Sequence, residues 1–267
     1  MFELSIYLVA LAALLVLGTV FWVASLYRND VSIVDSLWSL MFLLAAILYS
    51  YPLAELGPRG LLVLGLVLIW SIRLSAHITV RNHGKGEDPR YQEIRANNEP
   101  GFRFKSLYIV FGLQAALAWL ISIPLLLAIN SNAPLSLFDL AGVALWLIGM
   151  VFEAGGDYQL LRFKRDPTNR GRVLDRGLWR YTRHPNYFGE AAIWWGYYLF
   201  ALGAGGGWSI YAPALMTLLL LKVSGVALLE KDIHERRPGY REYVERTNAF
   251  LPGPRKSRPR TGEVGSS

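Results

Sequence analysis

Long apolar runs separated by short polar links set the rhythm of this chain. Phe2 to Tyr27 is the first, long enough to cross a hydrocarbon core of about 30 Å, and Val31 to Leu53 follows the Arg28-Asn29-Asp30 turn. Leu61 to Val80, Ser106 to Ile129, Leu135 to Leu161, Asn186 to Leu202 and Trp208 to Leu229 repeat the pattern. A lipid-facing backbone must satisfy its own hydrogen bonds, so runs of this kind are helices. The pattern predicts an all-α polytopic membrane protein of about seven transmembrane helices, forming a single membrane domain over 1–252. The first run, with no basic stretch before it and no small-residue cleavage site after it, is read as a retained helix. The stretch 253–267 is rich in Pro, Gly, Arg and Ser and is expected to be disordered.

Charge gives the runs a direction. Arg28, the links Arg81 to Lys105 and Arg162 to Arg183, and the segment Lys231 to Arg260 fall on one side, while the opposite links hold little beyond Arg59. The positive-inside rule makes the basic links cytoplasmic, with the N-terminus outside and the C-terminus inside the inner (cytoplasmic) membrane. This asymmetry accounts for the formal net charge of +7, so no nucleic-acid partner is expected. The partners implied are the bilayer and a small lipophilic substrate, with no obligate protein partner. A content of 53% hydrophobic residues excludes an ordinary soluble domain. The absence of cysteine removes disulfides and thiolate chemistry, and with four histidines no metal site is expected.

Polar residues inside the runs carry the candidate chemistry, because an intramembrane ionisable group is costly unless it has a task or a partner. Asp35 lies a few residues inside the second run. Trp70, Arg73, His77 and Arg81 form one stripe on the third, and Glu153 and Asp157 share a face on the fifth around Gly155-Gly156. Lys222, Glu230 and His234 fall close to one line on the seventh. Short surface helices are expected over Arg90 to Arg95, with Asp88 or Pro89 near the start, and after Pro238-Gly239. Crowded into the cytoplasmic halves, the charges predict a polar cofactor pocket open to the cytoplasm.

The most distinctive stretch is Gly177-Leu-Trp-Arg180-Tyr-Thr-Arg183-His184-Pro185-Asn186-Tyr187-Phe-Gly189-Glu190. His184-Pro185 breaks an incoming helix and starts a new one, on which Asn186, Glu190, Trp194 and Tyr197 share a face. The positive-inside rule alone accounts for the arginines; it does not account for Glu190. This passage resembles the Gly-x-x-x-Tyr-x-Arg-His-Pro-x-Tyr-x-Gly-Glu pattern of the steroid 5α-reductase-like proteins, including the DUF1295 group, and of the related isoprenylcysteine carboxyl methyltransferases. Asp30-Val-Ser-Ile-Val-Asp35-Ser-Leu-Trp38 and Arg90-Tyr91 resemble the bacterial reductase-like group in particular.

The resemblance implies a membrane oxidoreductase acting on CH-CH bonds, which holds NADPH in its C-terminal half, 135–252, and reduces a C=C bond of a sterol-like or isoprenoid lipid. Gly149 to Asp157, Gly177, Asn186 and Glu190 fall at matching places. The cofactor-binding set is then Glu153, Asp157, Lys164, Arg180, Arg183, His184, Asn186, Tyr187, Glu190, Glu230 and His234. In the family a carboxylate and a phenol polarise the enone carbonyl. Here Asp35 stands for the acid, expected as a protonated donor, and Trp70 stands where the tyrosine belongs, although an indole cannot give up a proton to a carbonyl. Tyr91 is the third catalytic candidate, a donor the sequence does not place near Asp35. The alternatives are S-adenosylmethionine-dependent methyl transfer, for which Trp70 is no obstacle, and a seven-span transporter or receptor.

Overall fold

The computed structural model describes residues 3–223 and 239–256, and among these all regular structure is helical. They pack as two compact units: the residues up to Leu147 with Ile193–Met216, and Ile148–Ala192 with the described residues from Thr217 onward. The single domain expected over 1–252 is thus built from two units.

The elements follow the apolar runs. They are α1 (Leu4–Arg28), α2 (Ile33–Ser50), α3 (Pro58–Asn82), α4 (Pro89–Asn97), α5 (Phe102–Ile121), α6 (Ile123–Ile129), α7 (Leu137–Arg165), α8 (Pro185–Gly203), α9 (Tyr211–Leu218) and α10 (Tyr240–Arg246). Among the described residues α1, α2, α3, α5 and α7 are long and apolar enough to cross a membrane. The 19-residue α8 is diluted by Asn, Glu, Trp and Tyr, and the last run is described only to Val223. The fourth run is not continuous. It stops at Ser122 and restarts as α6, where Pro124 sits in the first turn and needs no N–H. Within α5, Leu107–Gly112 forms a wider π turn.

Polar contacts mark the two ends of the first unit. At one end Tyr7 stacks on Trp119 at 4.2 Å, and the Tyr49 and Ser122 hydroxyls are 2.7 Å apart. Arg59, fully buried at the start of α3, is held there by Asp139 of α7: Nε donates to Oδ1 at 2.6 Å and Nη2 to Oδ2 at 2.8 Å. Its Nη1 donates to Ser131 Oγ and the Ala133 carbonyl, and Nη2 also to the Pro134 carbonyl. The one cation expected on the sparse side is therefore a fastening between two loops. At the other end, α1 closes on Asn29, whose φ of 49° lets its N–H reach the Ser25 carbonyl.

Removing one member of a buried, saturated pair leaves an uncompensated charge. Arg59→Met is expected to destabilise the protein by about 3–5 kcal/mol, and the double variant Arg59→Met, Asp139→Leu by much less. Thermal melting of the detergent-solubilised variants measures both, and an Arg59→Met variant as stable as wild type refutes the assignment.

Candidate functional site

Asp35 stands half-buried in the first turn of α2, and α4 brings two donors to it. Tyr91 Oη donates to Oδ1 at 2.6 Å and Arg90 Nη2 donates to Oδ2 at 2.6 Å. Local capping makes this geometry. Asp88 is the N-cap of α4, accepting from the Arg90 N–H at 2.9 Å, and Pro89 takes the first helical position, so Arg90 and Tyr91 fall in the first turn. The α1–α2 turn receives α4 through further bonds. Ser32 Oγ accepts from the Asp88 N–H at 2.8 Å, and the Val31 N–H donates to Glu87 Oε1 at 3.0 Å. Arg95 clamps Glu87 through Nη2 and Nε at 2.7 and 2.9 Å.

The charges at this junction tune one another. Burial, followed by the Asp35 charge, lifts the Tyr91 phenol, 6% exposed, well above its ordinary 10.0. Burial pushes the Asp88 carboxyl up, but hydrogen bonds and charge from Arg90 more than offset this and hold it below its ordinary 3.8. Burial works against the Arg90 charge and is outweighed by Asp35 and Asp88, so this guanidinium stays charged. Asp35 accepts at both oxygens. The donors are Tyr91 and Arg90, and Arg90 Nη1 makes no hydrogen bond among the described residues.

Trp70 does not join them. It is fully buried against Phe42, Trp194 and Tyr197, with ring centroids 5.8, 5.8 and 6.4 Å away. Phe42 lies two helical turns along α2 from Asp35, roughly 10 Å. Of the three catalytic candidates Asp35, Trp70 and Tyr91, the structure brings Asp35 and Tyr91 together, with Arg90, and sets Trp70 in the aromatic cluster. Arg90, Glu87, Asp88 and Ser32 were the missed members; the Asp88-Pro89 helix start was the available signal.

The second unit gathers most of the predicted cofactor residues. The start of α8 crosses α7 closely, since a Cβ on Gly189 would meet the Gly149 carbonyl oxygen at 2.5 Å and Glu153 Cβ at 2.7 Å. A Cβ on Gly156 would lie 3.2 Å from the Asn186 backbone nitrogen. Glu153 and Asp157 are buried, while Asn186, Tyr187 and Glu190 are partly exposed. His184 is buried, with its ring parallel to Tyr187 at 5.6 Å. Lys164 and Arg180 are exposed. Glu230 and His234 lie outside the described residues.

Arg183 has a different task from the one expected. Only 8% exposed, it donates from Nη1 to the Thr247 carbonyl at 2.7 Å and to the Val244 carbonyl at 3.3 Å, and its backbone N–H meets the Asn248 carbonyl at 2.9 Å. A cation at the C-terminal carbonyls of α10 is favoured by the helix dipole. The 239–256 segment clasps the loop further: Tyr243 Oη donates to the Trp179 carbonyl at 2.5 Å, and Thr182 Oγ1 donates to the Phe250 carbonyl at 2.8 Å. Residues 253–256, expected to be disordered, are bonded here. The Gly253 N–H meets the Tyr181 carbonyl at 3.0 Å, and Arg255 pairs with Asp175 at 2.6 Å.

Five helices long and apolar enough to cross a membrane, with only helical regular structure among the described residues, define an all-α integral membrane protein. The chain belongs to the family described as "Protein of unknown function (DUF1295)", whose model matches residues 21–247. It is 26% identical to an uncharacterised protein of Schizosaccharomyces pombe over 92% of this chain and 79% of that one. It is also similar to 3-oxo-5-alpha-steroid 4-dehydrogenase 1 of mouse, 42% identical over 31% of each chain, and of human, 32% identical over 42% of this chain and 40% of the human one. The alignments thus span well under half the length of these steroid dehydrogenases.

The junction at Asp35 carries a pH window. Because the Asp88 carboxyl is depressed, its contribution is present above pH 3.8 and is lost as pH falls below it. Because the Tyr91 phenol is raised, its contribution is present below pH 10.0 and is lost as pH rises beyond it. Amide protection of α4, corrected for intrinsic exchange, should hold between these limits and fall outside them; Tyr91→Phe should abolish the alkaline limb only. In the second unit, Arg183→Ala should lower stability by about 1.5–3 kcal/mol and expose α10 to exchange, whereas Arg180→Ala leaves both unchanged.

Proposed function

We propose that the chain is a membrane reductase that takes hydride from NADPH and saturates a C=C bond conjugated to a carbonyl in a sterol-like or isoprenoid lipid. The observation that carries this reading is the Asp35, Tyr91 and Arg90 junction. It supplies a carboxylate and a phenol at hydrogen-bond distance, although the third helix has Trp70 where the resemblance calls for the phenol. Similarity to the steroid dehydrogenases supports the same reaction class.

The second unit's residues fit part of a dinucleotide. Carboxylates at Glu153, Asp157 and Glu190 and the Asn186 amide suit ribose hydroxyls and a carboxamide, and are wrong in sign for phosphates, which fall to exposed cations such as Lys164 and Arg180. Bound NADPH would supply the hydride, delivered to the carbon β to the carbonyl. Charge then develops on the carbonyl oxygen, where Arg90 Nη1, the donor the junction leaves uncommitted, can donate to it, while the single Tyr91 O–H stays on Asp35. Asp35 holds Arg90 in place through Nη2, and the Tyr91 O–H holds Asp35. The raised Tyr91 phenol serves as a hydrogen-bond donor and not as a full acid, so the α carbon takes its proton from water. In this reading 83–88 is cytoplasmic and 130–136 lies on the opposite side, in the inner membrane.

Native mass spectrometry of the purified protein tests the cofactor: NADPH is expected, and S-adenosylmethionine without a dinucleotide would replace reduction with methyl transfer. Given a 4-en-3-one steroid or an α,β-unsaturated isoprenoid ketone, Tyr91→Phe and Asp35→Asn should each lower lipid-dependent NADPH oxidation by about 100-fold with unchanged NADPH affinity. Asn186→Ala should instead weaken NADPH binding by roughly tenfold. Full turnover in both Tyr91→Phe and Asp35→Asn removes the junction from the mechanism.

A further inference from the structure

A cavity of about 200 Å³ opens in the first unit between the end of α1, the α1–α2 turn, Arg95 of α4 and the start of α5. Ser25, Leu26, Asn29, Arg95, Phe102 and Arg103 are among its lining residues. It is smaller than the roughly 300 Å³ at which drug-sized ligand pockets begin, and suits a single compact polar group.

Its polar lining is unevenly committed. Arg95 is bound to Glu87, and its guanidinium lies 4.5 Å over the Phe102 ring. Asp30 and Glu99 also act on Arg95, so the positive excess lies on the Arg103 side. Arg103 is exposed and its guanidinium makes no ion pair or hydrogen bond among the described residues, while its carbonyl is taken by Trp22 Nε1 at 3.0 Å. The Asn29 side-chain amide likewise has no hydrogen bond among them. The cavity thus presents an uncommitted cation and an uncommitted amide, both of which can donate to an anion.

The surroundings say which anion. Tyr27, Phe104 and Tyr108 are 85%, 69% and 63% exposed beside Leu26, Arg103 and Phe102, and they form an aromatic belt of the kind found at a bilayer–water boundary. Val16, Val20 and Val23 continue an exposed apolar face down α1. A ligand with its charge in the cavity and its apolar length along α1 satisfies both. The positive-inside rule accounts for cations near this boundary but not for a preformed cavity between them.

We propose that this cavity binds the phosphodiester of a bilayer phospholipid, with Arg103 and the Asn29 amide donating to the phosphate oxygens and the acyl chains lying along α1. The site is independent of the reductase reading. The test is native mass spectrometry of the delipidated full chain titrated with dioleoyl phosphatidylglycerol, with dioleoylglycerol as the phosphate-free control. One phospholipid should bind per chain at higher affinity than any further lipid. Arg103→Ala should weaken this first event by about tenfold and Asn29→Gly, which keeps the left-handed backbone, by about threefold. Arg103→Lys should recover part of the loss, and lipid-free melting should be unchanged in all three. Wild-type affinity in both Arg103→Ala and Asn29→Gly, or equal binding of dioleoylglycerol, overturns the site. Inorganic phosphate that raises the melting temperature as much as the phospholipid, and displaces it, overturns the lipid as the source of the anion.

Discussion

The guanidinium of Arg59 has five N–H groups, and the structure gives each of them an acceptor. That saturation is the constraint under which the whole apolar bundle is built. A charge taken out of water costs several kcal/mol, and no solvent in the hydrocarbon layer makes up a missing bond. Arg59 meets the constraint by drawing the 131–139 stretch over the start of α3. Asp35 meets it at the other end by drawing α4 onto the start of α2, which fastens the 83–101 link to the α1–α2 turn. In both cases the partner is remote in sequence, so satisfying one charge also fixes the path of a loop.

In the second unit close backbone packing contributes to the positioning. Gly189 lets α8 approach α7 until only a hydrogen atom fits at its Cα position, and Gly156 allows a tight approach to the start of α8. The contact brings the backbone of Asn186 and Glu190 close to that of Glu153 and Asp157. Arg183 and Thr182, meanwhile, are committed to the carbonyls of the 244–250 stretch. The cation-rich loop before α8 is therefore divided: Arg183 and Thr182 are mortar for the C-terminal segment, and Arg180 is exposed.

Much of this was legible in the chain. Apolar length gave the helices to within a few residues, because the bilayer's demand on the backbone is local in sequence. His184-Pro185 gave the start of α8, and Asp88-Pro89 that of α4, because a proline at the first helical position is also a local effect. The break at Ser122 was missed, since the run 106–129 stays apolar across it. The protein partners of Arg183 and Asp35 were not legible, for a different reason. A side chain's partner depends on which loop folds back over it, and periodicity carries no information on that. The pairing of Asp35 with Arg90 and Tyr91 had a trace, as the two stretches had been singled out separately, but nothing in their spacing joined them.

That pairing also bears on what kind of lipid the proposed reaction would take. A phenol on α3 at the position of Trp70 would sit among Phe42, Trp194 and Tyr197, a packed aromatic cluster in which the Trp194 Nε1 already lacks an acceptor. Tyr91 instead enters from α4, at the polar end of the first unit, and gives its O–H to the carboxylate in the first turn of α2 that also holds Arg90. The electrophile of the proposed reaction therefore lies near the end of the helices and not halfway along them. A substrate whose oxygen is at one tip and whose apolar body extends away from it can reach such a group while keeping that body among the helices or in the bilayer. A substrate oxidised along its length fits less well wherever an added hydroxyl or carbonyl is buried without a partner, at a cost of about 1–3 kcal/mol each.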